Sequence, residues 1–157
     1  MRLLAAALLL ATLAACSGDA TGARPADLVG LWLREEVQSG TVELHTIEEL
    51  ELRAEGVFSW TTEVYGPGGR EADGLVERIS RGGDWEMRGD RLALRTLHGI
   101  GWRVDAPGGY QEDYAGQWDL RHRARLTGDR LHLTFLPEPE NSSPRRTLEF
   151  QRAVRRH

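Results

Sequence analysis

The chain has 157 residues and a formal net charge of −4 at pH 7, from 24 acidic residues and 20 arginines, with no lysine. This mild acidity argues against nucleic acid as a partner, because nucleic-acid binding requires a strongly basic surface. The single cysteine, Cys16, excludes an intramolecular disulfide and leaves no second thiol for a metal site or a nucleophile.

The first residues have the pattern of a secretory signal. Arg2 supplies a positive charge, and Leu3–Leu13 is an apolar run of about a dozen residues, too short for a bilayer-spanning helix of about 20. The run ends in Leu13-Ala14-Ala15-Cys16, which resembles the lipobox of bacterial lipoproteins. The resemblance implies diacylglycerol on the Cys16 thiol, cleavage before Cys16 and acylation of the new amino group. The alternative is an ordinary secretory signal with an accidental cysteine.

These features divide the chain into a signal peptide (1–15), a lipidated flexible tether (16–27) and one folded domain (28–157). Three acyl chains exceed the two signals that stable anchoring needs, so we expect the protein on a membrane of the bacterial cell envelope. Ser17 resembles the sorting signal for the outer membrane, which predicts an outer-membrane protein facing the periplasm if the source has two membranes. The polar tether reaches about 20 Å, and the roughly 140 remaining residues suffice for one domain.

A repeated pattern predicts two β-hairpins. "WEMRGDRLALRT" (Trp85–Thr96) and "ARLTGDRLHLTF" (Ala124–Phe135) each place Gly-Asp between alternating segments. A glycine in the first position of a two-residue loop favours a type II′ turn. The predicted facing pairs are Met87 with Leu92, Trp85 with Leu94, Asp84 with Arg95, Leu126 with Leu131, Ala124 with Leu133 and His122 with Phe135.

A third hairpin is predicted at "LELRAEGVFSW", with the loop Ala54-Glu55-Gly56 and a left-handed glycine. Its facing pairs are Leu52 with Phe58 and Leu50 with Trp60. Further strands are expected around Leu28–Val37, around Trp102 and at Leu148–Ala153, and the domain shows no long amphipathic helix. About eight antiparallel strands at hairpin spacing predict an all-β, up-and-down barrel, with a two-sheet sandwich as the alternative.

The segment "LVGLWL" (Leu28–Leu33) resembles the Gly-x-Trp opening strand of lipocalins and of bacterial lipocalin-like lipoproteins. The later "GDWEMRGDRLAL" resembles their mid-barrel strands. This resemblance implies a lipocalin-like (calycin-type) barrel. It also implies a structural plug in which Gly30 and Trp32 pack under an arginine of the last strand, here Arg152.

The sequence contains no Gly-x-Ser-x-Gly elbow, His-Glu-x-x-His motif or phosphate-binding loop, so we expect no enzymatic activity, no cofactor and no metal. Alternation directs His98 and His122 into the barrel on neighbouring strands. They are a metal or haem site, a polar anchor for a ligand, or structural histidines, and we favour the structural role. Alternation also turns Glu48 inward, where a lone carboxylate is costly. We therefore expect a bulge near Ile47 that turns Glu48 outward.

Three tryptophans, Trp60, Trp85 and Trp118, lie on apolar strand faces and either line a cavity or pack the core. With His98 and His122 they are the candidate pocket residues. The sequence thus predicts a lipid-anchored, non-enzymatic envelope protein whose barrel binds a small apolar molecule. The alternative is an interaction module with a solid barrel core, whose outer surface contacts another envelope protein.

Overall fold

The computed structural model describes residues 24–72, 74–112, 119–136 and 146–153. Cys16, the predicted signal and Trp118 lie outside these ranges. The described residues contain one helix, one 3₁₀ turn (Gly69–Ala72) and nine strands. They are α1 (Pro25–Leu28), β1 (Gly30–Gln38), β2 (Leu44–Leu52), β3 (Val57–Tyr65), β4 (Leu75–Arg88), β5 (Arg91–Arg103), β6 (Ala106–Glu112), β7 (Asp119–Thr127), β8 (Arg130–Phe135) and β9 (Thr147–Arg152).

The strands form one antiparallel sheet in the order β4-β3-β2-β1-β9-β8-β7-β5-β6. Because β4 also pairs with β5, eight of the nine strands close into an up-and-down barrel. The remaining strand, β6, pairs with the second half of β5, whereas β7 pairs with the first half. The predicted eight-stranded barrel is confirmed, and the alternative of a two-sheet sandwich is wrong because the sheet closes on itself.

The three predicted hairpins have the predicted registers. All eight expected facing pairs occur, from Leu50 with Trp60 in β2–β3 to His122 with Phe135 in β7–β8. The loop glycines Gly56, Gly89 and Gly128 have φ values of 81°, 63° and 58°, which residues with a Cβ rarely adopt. These three turns and α1 mark one end of the barrel, called the lower end below.

Large apolar side chains fill the barrel at its lower end. They come from alternating positions of the strands, as expected for strands with one buried face. Burying each contributes roughly 1.5–3 kcal/mol. This lower core consists of Leu28, Trp32, Leu50, Leu52, Phe58, Leu92, Leu94, Leu131, Leu133 and Phe150, each at most 2% exposed.

A bulge between β4 and β5 changes which residues of β5 face inward. Thr96 pairs with Gly83 and His98 pairs with Gly82, so Leu97 is an extra residue in β5. Such a bulge reverses the side-chain alternation beyond it. A Cβ on Gly83 would lie 2.0 Å from the Arg95 carbonyl oxygen, so the two backbones approach at a distance that only glycine allows.

The prediction that His98 points into the barrel is therefore wrong. Before the bulge Thr96 faces inward and is 1% exposed, whereas after it His98 is exposed and its ring lies against Gly82 on the outer surface. Ile100 is likewise outward and 62% exposed. The inward positions pass to two residues without side chains, Gly99 and Gly101, both buried.

Candidate functional site

A plug closes the lower end of the barrel. The Trp32 indole Nε1–H donates to the Leu28 carbonyl at 2.8 Å, and the Arg152 guanidinium lies 4.2 Å above the Trp32 ring centroid. Arg152 also donates to the Val29 carbonyl at 3.0 Å. Gly30 has φ of 144°, and a Cβ there would lie 2.8 Å from Arg152 Nη1. The predicted contact between Gly30, Trp32 and Arg152 is present, and it connects the first strand to the last.

Above the lower core, inward residues form a second region with a different composition. This upper interior combines rings with polar and charged groups, whereas the side chains of the lower core are apolar. It includes Arg34, Glu36, Glu48, Trp60, Arg81, Thr96, His122 and Phe135, which the pairing registers place on the inner face.

Ring contacts hold the centre of the upper interior. The Trp60 ring centroid lies 6.2 Å from that of His122 and 5.9 Å from that of Phe150, and the His122 ring lies 5.9 Å from Phe135. Trp60 and His122 are 7% and 4% exposed. Barrel closure thus joins two predicted pocket residues from β3 and β7, which are more than 60 residues apart in sequence.

Three buried polar atoms of this region have no hydrogen-bond partner among the described residues: Trp60 Nε1, Thr96 Oγ1 and His122 Nδ1. Leaving a buried polar group unpaired costs about 1–3 kcal/mol. The indole N–H only donates, whereas the threonine hydroxyl and a neutral imidazole both donate and accept. A molecule that supplies an acceptor beside Trp60 would recover the lost interaction.

Burial lowers the pKa of His122 to about 4, and this effect outweighs a hydrogen bond with the Leu120 backbone that raises the pKa. The imidazole is therefore neutral at pH 7. Its ring has one N–H and one bare nitrogen, so His122 Nδ1 is available to a neutral polar group.

A network of ion pairs lies on the β1–β2 side of the upper interior. Glu48 is 9% exposed and faces Arg34 directly across the strand pair, and the two form an ion pair. Arg34 also binds Glu36, which Arg146 binds at 2.9 Å. Burial raises the pKa of Glu36, but the hydrogen bond and charge of Arg34 and the charge of Arg146 outweigh it and lower the pKa overall.

The expected bulge at Ile47 is wrong. The registers of β1–β2 and β2–β3 are continuous through Ile47, and Glu48 stays inward. The carboxylate is not alone, because Arg34 neutralises it from the neighbouring strand. Arg34 follows Trp32 by two residues and so shares its inward face, a signal present in the sequence.

The wall of the barrel opens between β1 and β9. These strands share only two register pairs, Trp32 with Arg152 and Leu33 with Gln151. Beyond them lies an open groove of about 470 Å³. The groove is lined by residues of the outer face together with Arg34, Phe150 and Arg152, which belong to the inner face.

The remaining predicted site residues have other surroundings. Trp85 is inward and 9% exposed, but its Nε1–H donates to the Arg53 carbonyl at 2.8 Å, so its polar atom is already satisfied. His98 is outside the barrel. Trp118 and Cys16 lie outside the described residues. Thr96 is a buried polar residue that the sequence prediction does not include among the candidates, although strand alternation from Leu92 and Leu94 places it on the same inward face.

No protein-family model matches this sequence, and no curated protein matches it either. Among the described residues, no helix is long and apolar enough to cross a membrane. The same part of the chain contains no group of three or more histidine, cysteine, aspartate or glutamate side chains arranged to hold a metal ion.

Proposed function

We propose that this protein is a lipid-anchored, non-enzymatic protein of the bacterial envelope whose barrel binds a small, largely apolar molecule in the upper interior. The main observation is the contact between Trp60 and His122, two buried rings whose Nε1 and Nδ1 atoms, respectively, have no hydrogen-bond partner among the described residues. Small-molecule pockets typically combine such apolar walls with a few polar groups. A barrel of eight strands either fills with side chains or holds one small ligand.

The distribution of small and large residues supports this proposal. Gly99 and Gly101 face inward on β5 above the bulge, so the wall there is backbone alone. The groove between β1 and β9 approaches the same region from outside. Both features favour space and access near the upper interior, in contrast to the filled lower core.

Native mass spectrometry tests the proposal directly. The delipidated domain, isolated from its own cells, should retain a small molecule that dissociates when the protein is denatured. His122→Phe removes the polar nitrogen but keeps a ring of similar size, and it should lower the retained fraction. A domain that carries no added mass, in several preparations and at gentle activation, would contradict the proposal.

Membrane anchoring rests on the sequence "LAAC" at Leu13–Cys16. Cys16→Ala should abolish incorporation of labelled palmitate and release the protein from the membrane fraction. Ser17→Ala, one residue further on, should leave palmitate incorporation unchanged. The anchor proposal fails if wild-type protein incorporates no palmitate and the Cys16→Ala variant still floats with membranes.

One observation favours the second candidate, an interaction module of the envelope. Ile100 and Val104 are each 62% exposed, and Val76, which accepts a backbone hydrogen bond from Val104, is 36% exposed. Exposed apolar groups that lie together are typical of protein contacts. Retention of a small molecule in the mass spectrum favours the first candidate, and a stoichiometric protein partner lost on Ile100→Ser favours the second.

A further inference from the structure

The lower core limits how far a ligand extends into the barrel. Its ten side chains are at most 2% exposed, and the plug of Trp32 and Arg152 closes the end beneath them. Interiors packed in this way have few voids larger than a water molecule. A long acyl chain therefore has no path downward, and the ligand has to be compact enough for the upper interior alone.

The unpartnered atoms define the polar groups of the ligand. Trp60 Nε1 only donates, so the ligand needs a hydrogen-bond acceptor at that position. The Trp60 ring lies at a tilt of 50° to His122 and nearly perpendicular to Phe150, at 76°. Aromatic rings pair favourably with a further ring in an offset-stacked or edge-to-face arrangement, which favours a ligand with a flat ring system.

The charges nearby favour a ligand without net charge. Arg34 is paired with Glu48 and Glu36, and Arg152 is held by Trp32 and backbone carbonyls. Arg81, which faces Trp60 across β3–β4, also has an interaction partner. His122 is neutral because burial lowers its pKa. An anion would be buried here without a free cation among these described inward groups, which is costly.

We infer that the ligand is a compact, flat, uncharged molecule whose carbonyl-type oxygen accepts a hydrogen bond from Trp60 Nε1. This inference rests on the proposed binding function and names the chemical class that the site selects. It distinguishes the site from one for fatty acids, which are both longer and anionic.

Three probes of similar shape test the inference on the folded domain. Naphthalene has the flat ring system without an acceptor, coumarin adds a neutral lactone carbonyl, and coumarin-3-carboxylate adds a negative charge. Binding is followed by quenching of tryptophan emission. Coumarin should bind about tenfold more tightly than naphthalene, which corresponds to one recovered hydrogen bond of about 1.4 kcal/mol. Coumarin-3-carboxylate should bind more weakly than coumarin by a similar factor.

Trp60→Phe removes the indole N–H donor and keeps an aromatic ring. It therefore separates the contribution of the hydrogen bond to binding from that of the ring contact. The variant should bind coumarin and naphthalene about equally, while its naphthalene affinity stays within about twofold of wild type. Trp102→Phe, on the outer side of β5, is the matched control and should keep the full preference for coumarin. The comparison of probes on wild-type protein does not depend on the stability of any variant.

The outcomes are distinguishable. If all three probes fail to bind, the proposed binding function falls and the ligand class falls with it. If naphthalene and coumarin bind equally well to wild type, or Trp60→Phe keeps the coumarin preference, the binding site stands and the inferred class is wrong. Tightest binding of coumarin-3-carboxylate also overturns the inference and indicates an anion site.

Discussion

The lower and upper halves of the barrel interior surround a buried tryptophan with different partners. Both contain a buried tryptophan from an early strand. In the lower half the Trp32 N–H is bonded to Leu28 and its ring lies under Arg152. In the upper half the Trp60 N–H has no partner among the described residues and its ring lies against a neutral histidine. The difference separates residues that hold the fold together from residues that are available to a ligand.

The largest loss of stability is expected for a substitution in the lower half. Trp32→Ala should lower the free energy of unfolding by about 3–5 kcal/mol, because it removes a large buried ring, its hydrogen bond and the contact with Arg152. Urea denaturation of the domain measures this loss. A loss below about 1 kcal/mol would mean that the plug does not hold β1 and β9 together.

The second-largest loss of stability is expected at the bulge, which divides β5 between the two halves. Gly83→Ala should cost about 3 kcal/mol, at the upper end of overpacking effects, because the new Cβ meets a backbone oxygen that cannot move aside. Gly89→Ala is the control. Its Cβ meets no atom within 4 Å, so only the positive φ opposes it, at about 1–2 kcal/mol. Equal urea midpoints for the two variants would count against the bulge.

Acidification should lower the stability of the protein through His122 in the upper half. The pKa of His122 is about 4 in the folded protein, below its usual 6.5, so the unfolded chain binds a proton first as the pH falls. The stability is fully present above about pH 6.5 and decreases toward pH 4, by about 2–3 kcal/mol. His122→Phe should lack this part of the pH dependence. Parallel curves for both proteins would show that His122 is not buried in its neutral form.

The smallest effect on stability is expected for Trp60→Phe. The smaller ring loses some packing, but the substitution also removes a buried donor that has no partner among the described residues, so the free energy of unfolding should change by less than about 1 kcal/mol. Trp32→Phe leaves the Leu28 carbonyl without its donor and should cost about 2 kcal/mol or more. Urea midpoints of the two variants compare the halves directly, and a larger loss for Trp60→Phe would reverse the comparison.

The sequence predicts the parts of the fold that depend on neighbouring residues. Gly89, Gly128 and Gly56 set the hairpin turns, and each turn then fixes the register of the strands beside it. The plug of Trp32 and Arg152 was predictable only through the resemblance to lipocalins, because the two residues are 120 positions apart.

The features that sequence reasoning missed depend on contacts between strands. The bulge at Leu97 arises where Gly83 admits a close backbone, and one displaced residue moves His98 from the inside to the outside. Glu48 was expected outside because a lone buried carboxylate is unfavourable, yet Arg34 on the adjacent strand makes the inward position tolerable. The meeting of Trp60 with His122 requires the closed barrel, which no local pattern encodes.

Two-dimensional NMR of the indole N–H groups shows whether a ligand in the barrel accepts a hydrogen bond from Trp60 Nε1. The Trp60 resonance is assigned by its loss in Trp60→Phe, and coumarin is then added to isotope-labelled wild-type domain. We expect the Trp60 resonance to shift to a position typical of a hydrogen-bonded indole, while those of Trp32 and Trp85 stay in place. A Trp60 resonance that does not move at saturating coumarin, or equal shifts of Trp32 and Trp85, would contradict this expectation.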